Sequence, residues 1–465
     1  MRTRHPSARR REEPLHTQSL DARSHECGVT DRTGESADSH VLPAGAGSAA
    51  LLFPDINGNL RGKLVVPSEL ESESARTVGL PTTDLLLAVD PVDEPITTLT
   101  DIGITAGSKD LLLKPDTASV RRMPWLNDDA YLVLGDLNNT DGSTCEVSPR
   151  GVLRRALTAL SECGLQIMAA FEFEFRLFRA DSWEPATSGL SYSMAPLAQV
   201  ADFVATFRSY AEAMRLGLSV VHSEGAPGLI EVNVDPAVGL DAADIAALLR
   251  TAATEAARRH DLRACFMSKP IAREEGSSAH VHFSFWNEGG DNALRGAVDD
   301  AHDEFYRRCA SGIVQHLPAM SVIYNPTINS FKRLVPGYFA PVTAGCGPDD
   351  RSFALRALLR GPRSSRFELR RPGADCNPYL TLAAIAASAY LGLVDTVVPA
   401  RDELDRHDAP LPNSLESAVS EFRRRDSRLD DVLGARFCRH YLHTREWELH
   451  AWQDAVSEWE RQRYA

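Results

Sequence analysis

Phe171–Phe178 reads FEFEFRLF. In an extended strand, residues two apart share a face. Phe171, Phe173 and Phe175 then point one way, and Glu172 and Glu174 the other. The aromatic side demands a core. The acidic side sets two neighbouring carboxylates together, which repel each other and are costly to desolvate. An isolated Glu-x-Glu reads as an exposed edge strand with solvated carboxylates. Three flanking phenylalanines turn the reading toward a cation site.

Three other stretches carry the same chemistry. HSEGAPGLIEVNVD, from His222, sets Glu224 and Glu231 across a turn containing Gly225, Pro227 and Gly228. Such a turn can fold the chain back so that both carboxylates meet. EEGSSAHVHFSFW, from Glu274, places His280 and His282 on one strand face. SSRFELRRPGADCNPYL, from Ser364, places Arg366, Glu368 and Arg370 on one face, alternating with Phe367 and Leu369. That stripe fits a structural salt-bridge ladder or a phosphate-binding face with one metal ligand. Together these segments supply five carboxylates and an imidazole. Hard oxygen donors favour Mg²⁺ or Mn²⁺ over zinc. Arginines beside such a cluster suit phosphoryl transfer, in which cation and guanidinium neutralise charge on the phosphate oxygens. There is no GxxxxGK[ST] loop and no kinase-type glycine-rich loop.

The rest of the chain bounds this reading. A length of 465 residues allows more than one structural unit. The net charge of -14, from 64 acidic and 50 basic residues, argues against a general nucleic-acid or anionic-membrane binder. The eight cysteines form no CxxC pair and read as reduced thiols, which implies a cytoplasmic protein. The arginine-rich start is followed by no apolar run of a secretory signal. NPYLTLAAIAASAYLGLV, from Asn377, is uncharged, but its alanine content fits a buried helix better than a membrane span.

Residues 1–50 are polar without apolar periodicity and are expected to form a disordered extension. LLFPDINGNLRGKLVVP reads as two strands joined by a two-residue turn at Asn57-Gly58. DLLLAVD, DLLLKPD and AYLVLGDL read as further short strands, and PRGVLRRALTALSECGL as a helix ending at Gly164. The C-terminal HTREWELHAWQDAVSEWERQRYA reads as one surface-packed helix. The boundary between a β-rich part, 51–145, and a large α+β part, 146–465, falls where the strand pattern gives way to the helix.

In their order along the chain, the four blocks above resemble the glutamine synthetases. FMSKP, from Phe266, and NPTINSFKRLVPGYFAP, from Asn325, strengthen the resemblance. It implies an α+β protein: an N-terminal β-grasp domain, then a catalytic domain whose antiparallel sheet forms a barrel-like active site flanked by helices. It implies an ATP-dependent ligase for glutamate and an amine, working through γ-glutamyl phosphate. Two or more Mg²⁺ or Mn²⁺ ions would be bound, one at Glu174, Glu224 and Glu231 and another at Glu172, His280 and Glu368. Arg351, Arg356 and Arg366 would meet the ATP phosphates, with His282 and Ser284 near the nucleotide. Arg333, Arg370 and backbone near Gly276 would hold glutamate. The family's usual assembly is a dodecamer of two stacked six-membered rings.

Three departures from the family pattern bear on the substrate. Phe339 stands where the flap normally carries a glutamate that takes a proton from ammonium. VGLPTTDLL lacks the ammonium-binding carboxylate at the corresponding point, and Asp141-Gly142-Ser143 lies in the wrong place to supply it. Ser278 replaces a usual glycine. Family members lacking the ammonium carboxylates join glutamate to organic amines. The sequence therefore points to a γ-glutamyl-amide ligase. Ordinary glutamine synthesis from ammonia and a catalytically silent glutamate- or nucleotide-binding paralogue are the alternatives.

Overall fold

In the computed structural model, residues 40–295, 300–395, 397–398, 400, 404 and 409–465 are described. FEFEF lies in the strand Leu165–Arg179. Phe171, Phe173 and Phe175 are almost wholly buried. Phe171 stacks on Phe173, and Phe175 meets Phe203 and Phe207 of the helix Ala201–Ala213 edge to face.

This strand is the axis of a nine-stranded sheet that curls into a half-barrel. On one side it pairs with Ala279–Asn287, which pairs with Arg366–Leu369, then Leu355–Leu358 and Cys346–Pro348. On the other side lie Leu229–Val234 and Leu218–Ser223. The pairings are antiparallel, apart from the parallel pair Cys346–Pro348 and Leu355–Leu358. Because strand residues alternate, one face of this sheet is a core of phenylalanine, valine and leucine, and the other gathers the charges.

Helices cover the apolar face. Pro378–Val394 is the buried helix expected from its alanine-rich sequence. Asn377 caps it, its side-chain oxygen accepting from the backbone N–H groups of Tyr379 and Leu380. It packs on Asp300–Tyr324, and the two backbones come close where Gly312 meets Gly392. A Cβ at Gly312 would stand 2.7 Å from the Cα of Gly392.

A second sheet holds the strands Leu60–Val65, Ser48–Pro54, Ala130–Asn139, Asp110–Pro115 and Leu80–Thr83, in that order. Ser48–Pro54 and Ala130–Asn139 run parallel, giving the mixed sheet of the N-terminal part. Arg150, at the start of the helix Pro149–Glu162, ties this sheet to the rest. It reaches Asp136 at 2.8 Å and Asp116 at 3.1 Å from the N-terminal sheet side, and Asp244 of the helix Leu240–Arg258 at 2.7 Å.

Several local expectations are corrected. The first hairpin is not closed by a two-residue turn. Pro54 pairs with Leu60, leaving Asp55–Asn59 as the loop, and the Asp55 carboxylate accepts from the N–H groups of Asn57 and Asn59. That aspartate-centred loop wins over the Asn-Gly signal because it satisfies two otherwise orphaned donors. DLLLAVD is not a strand: Asp84–Leu87 forms a 3₁₀ turn opened by Thr83, whose hydroxyl accepts from Leu85 N–H. Order begins before residue 50. Val41 and Leu42 are buried, their N–H groups donating to Glu71, and the first strand starts at Ser48. The rest of the proposed extension, 1–39, lies outside the described residues. The C-terminal segment is two helices, Ala435–Asp454 and Glu458–Tyr464, because Ala455 turns extended and Ser457 caps a new start.

Candidate active site

The register of the sheet builds the site row by row. Glu172 lies opposite His280, and Glu174 opposite Glu231. Glu231 in turn faces His222. Glu368 lies between His282 on one neighbouring strand and Arg356 on the other. Every strand contributes its polar side chains to the same face, so residues far apart in sequence converge.

Their contacts follow from this placement. Glu172 Oε1 stands 3.0 Å from His280 Nδ1, and Oε2 stands 3.5 Å from His282 Nε2. Asn233 also donates to Glu172 Oε2, at 2.6 Å. Arg356 donates to Glu368 at 2.8 Å, and Arg370 to its other oxygen. His222 Nε2 lies 3.0 Å from Glu231, and its Nδ1 lies 3.6 Å from Glu224. The ring of Tyr192 stacks on His222 with centroids 4.5 Å apart.

Two sets of possible ligand atoms lie within 4.8 Å of one another: Glu172, His282 and Glu368, and His222, Glu224 and Glu231. Compared with the expected sets, His282 takes the place of His280 and His222 that of Glu174. Glu174 is nonetheless close by. It is turned toward Ser278, whose N–H donates to it at 2.9 Å.

The electrostatics suit a bound cation. Burial pushes the Glu174 and Glu231 carboxyls upward, and for Glu231 the charges of Glu172 and Glu174 add to this. Burial acts on Glu172 in the same direction, but hydrogen bonds from His280 and His282 outweigh it and hold the carboxyl well below its ordinary range. Burial and the charge of Arg370 push the His280 pKa down, and with Nδ1 held by Glu172, Nε2 is the ring nitrogen open to a ligand. Oxygen donors with an imidazole, in a partly desolvated cluster of like charges, match a divalent cation such as Mg²⁺ or Mn²⁺.

Beside this cluster opens a cavity of about 350 Å³, lined by Glu172, Asn233, His282, Ser284, Trp286 and Arg366 among others. Arg366 Nε donates to His282 Nδ1 at 3.2 Å, and Ser284 Oγ accepts from Trp286 Nε1 at 2.8 Å. Arg333 is buried, donating to the carbonyl oxygens of Arg371 and Pro372, and its charge acts on Glu174. It packs against Gly276, where a Cβ would come within 2.5 Å of its Cγ. Arg351 is on an exposed turn, apart from the ion-paired cluster. Phe339 is 69% exposed in the flap segment and has a left-handed backbone, φ 53°. Phe339 is not part of the lining of the cavity beside the cluster.

Sequence reasoning passed over His222, Asn233 and Tyr192. The first two had a signal of the same kind as the chosen residues. His222 stands two before Glu224, and Asn233 two after Glu231, so each shares a strand face with a chosen glutamate. Tyr192 sits in a loop before Met194–Gln199 and had none.

Comparison with known proteins agrees with the geometry. The family model for the glutamine synthetase catalytic domain matches residues 146–464. A glutamate–isopropylamine ligase from a Pseudomonas species is 32% identical, covering 88% of this chain and 93% of that protein. A gamma-glutamylethanolamide synthetase from Streptomyces coelicolor is 31% identical over 94% of this chain and 97% of its own. A glutamine synthetase from Halobacterium salinarum is 32% identical over 76% and 83%. A solved structure described as apo GmaS without ligand superposes with a TM-score of 0.79 at 26% identity, covering 90% of this chain and 97% of that one.

Proposed function

The chain belongs to the glutamine synthetase family, and we propose that it is the form of that enzyme which joins glutamate to an organic amine. It is an ATP-dependent glutamate–amine ligase. The observation that carries the choice of acceptor is Phe339, at the flap position where an ammonia-using member carries a glutamate. Ammonia at neutral pH is mostly ammonium. A site for it must attract a cation and remove a proton, and a phenyl ring cannot accept a proton. The ring instead offers apolar contact, worth about 0.8 kcal/mol for each methylene buried against it. The similarity to ligases named for isopropylamine and ethanolamide supports the same reading.

The residues take these roles in the proposal. Glu172, His280 or His282, and Glu368 hold one divalent cation; Glu224 and Glu231, joined by Glu174, hold another. These ions, Mg²⁺ or Mn²⁺, supply charge neutralisation for the ATP phosphates. Arg366, on the strand of Glu368, and Arg356, on the strand beside it, orient the phosphates, and Arg351, on its exposed turn, joins them when ATP is bound. His282 and Ser284 line the cavity for the nucleotide. Arg333, Arg370 and the backbone at Gly276 hold the glutamate carboxylates. The γ-carboxylate attacks the terminal phosphorus of ATP, giving γ-glutamyl phosphate and ADP. The amine then attacks the acyl carbon, phosphate leaves, and the amine sheds its proton.

The same reading extends to assembly and place. Leu60–Val65 is an edge strand of its sheet, with Leu64 and the following Val66 exposed, which supports coverage by a neighbouring subunit in a double-ring dodecamer. Among the described residues no helix is long and apolar enough to cross a membrane. Cys145, Cys163, Cys265, Cys309, Cys376 and Cys438 form no disulfide, which supports a cytoplasmic setting.

The test is product identification. With glutamate, ATP, Mg²⁺ and an alkylamine, mass spectrometry should find the γ-glutamyl amide in step with ADP. ADP formed without an amide, or no ADP with any amine, would refute the proposal.

A further inference from the structure

Ser278 occupies a position where the family usually has glycine, and the structure shows what its side chain touches. The Ser278 hydroxyl donates to one oxygen of Glu174, and the Ser278 N–H donates to the other at 2.9 Å. The Glu174 N–H in turn donates to the Ser278 carbonyl at 2.9 Å. Ser278 also forms a bridge with Gly373 and is 2% exposed. The serine is thus fixed on both sides, and its hydroxyl has no water to turn to. Both oxygens of Glu174 are engaged by a single residue. Meanwhile Glu224 and Glu231 gather with His222 without Glu174. A glycine at 278 would supply the amide but not the hydroxyl.

We propose that Ser278 is a positioning residue that holds Glu174 back from the cation shared by Glu224 and Glu231, so that full coordination there requires the hydroxyl to release the carboxylate. This rests on the reading of Glu174 as a cation ligand. The hydroxyl and the cation compete for the orientation of one carboxylate, since the two bonds from Ser278 turn both oxygens of Glu174 toward that residue. Removing the hydroxyl removes the competitor. The expected gain is about tenfold in affinity, the order of magnitude of one hydrogen bond to a charged group.

The experiment is a Mn²⁺ titration of the full-length protein without ATP or glutamate, reading free Mn²⁺ by electron paramagnetic resonance. Ser278→Gly and Ser278→Ala should each tighten one site about tenfold. Glu174→Gln should weaken that site, and adding Ser278→Gly to it should change nothing further, because the two act through one contact. If Glu174→Gln binds Mn²⁺ as the wild type does, Glu174 is not a ligand and both readings fall. If Glu174→Gln weakens binding while the Ser278 variants bind no tighter than wild type, the ligand reading stands and the positioning role is overturned. Should Ser278→Ala fail to fold, Ser278→Gly decides, since glycine is the family's usual residue there.

Discussion

The guanidinium of Arg356 donates to Glu368 at 2.8 Å, directly across two paired strands. Arg370 engages the other carboxylate oxygen, and His280 Nδ1 stands 3.9 Å away. Burial works against the charge on Glu368, yet His280 and Arg370 hold its carboxyl down to about 2. Glu368 with Arg370 and Arg356 therefore forms a salt-bridge ladder, while Arg366 turns to His282 and lines the cavity beside it. Replacing Glu368 by Ala leaves Arg370 facing Arg356 without its counter-charge, and Arg356 with the exposed Asp349 alone of its two carboxylates. Breaking a buried pair in this way costs about 3–5 kcal/mol. Denaturant unfolding should show that loss, and ADP release should fall to background. A variant as stable and active as wild type would contradict both roles.

Arg150 should be the strongest link between the N-terminal sheet and the rest of the chain. It is fully buried and meets three carboxylates, of which Asp244 is held bidentately and also accepts from Tyr379. Arg150→Met preserves bulk but strands those carboxylates. We expect a loss of about 3–5 kcal/mol, seen as a lower denaturation midpoint. Arg154→Met, which removes an exposed partner of Asp116 and Asp136, should cost under about 1 kcal/mol.

Acid should loosen the contact between the C-terminal helix and the N-terminal part through His440. Its Nε2–H donates to the Leu87 carbonyl at 2.9 Å, and burial lowers its pKa to about 4. In the unfolded chain the ring takes a proton near about pH 6.5. Between these values the unfolded state binds more protons, so stability rises with pH and is lost as pH falls from about 6.5 to 4. The loss amounts to roughly 3 kcal/mol at most. His440→Gln keeps a donor for Leu87 and does not titrate. Its stability, followed by urea unfolding across that range, should fall less steeply than that of wild type. Parallel curves would contradict this.

What the sequence revealed was largely what strand periodicity encodes. FEFEF, HVH and RFELR each place charged groups on one face by alternation, and pairing in one sheet brought those faces together. The order of blocks supplied the architecture. What stayed hidden depends on distances that alternation does not carry. Nothing in the sequence says that Glu174 turns to Ser278, or that His222 reaches both Glu224 and Glu231. The Asp55–Asn59 loop was misread for a similar reason. A dipeptide rule for Asn-Gly assumes the strands reach the turn, whereas the Asp55 side chain ends them earlier by capturing two amides. Leu85–Leu87 read as a strand because a short apolar run does not distinguish a strand from a buried 3₁₀ turn.

Phe339 provides a direct handle on the acceptor. Its φ of 53° is strained for any residue with a Cβ. Phe339→Glu keeps that strain and changes only the side chain. The variant gains a group that attracts ammonium and takes its proton, and loses the apolar surface. We expect the ratio of kcat/KM for ammonia to that for the best organic amine to rise by at least about tenfold, the low end of what a placed general base contributes. An unchanged ratio would show that Phe339 does not meet the acceptor.

The choice of amine by the wild-type protein decides between an organic-amine ligase and an ordinary glutamine synthetase. The most direct measurement is steady-state ADP release with saturating glutamate, ATP and Mg²⁺, comparing kcat/KM across ammonia, ethanolamine, isopropylamine, other alkylamines, an aniline and a polyamine. An alkyl or aromatic amine should exceed ammonia by well over about tenfold. Ammonia as the best acceptor would contradict this.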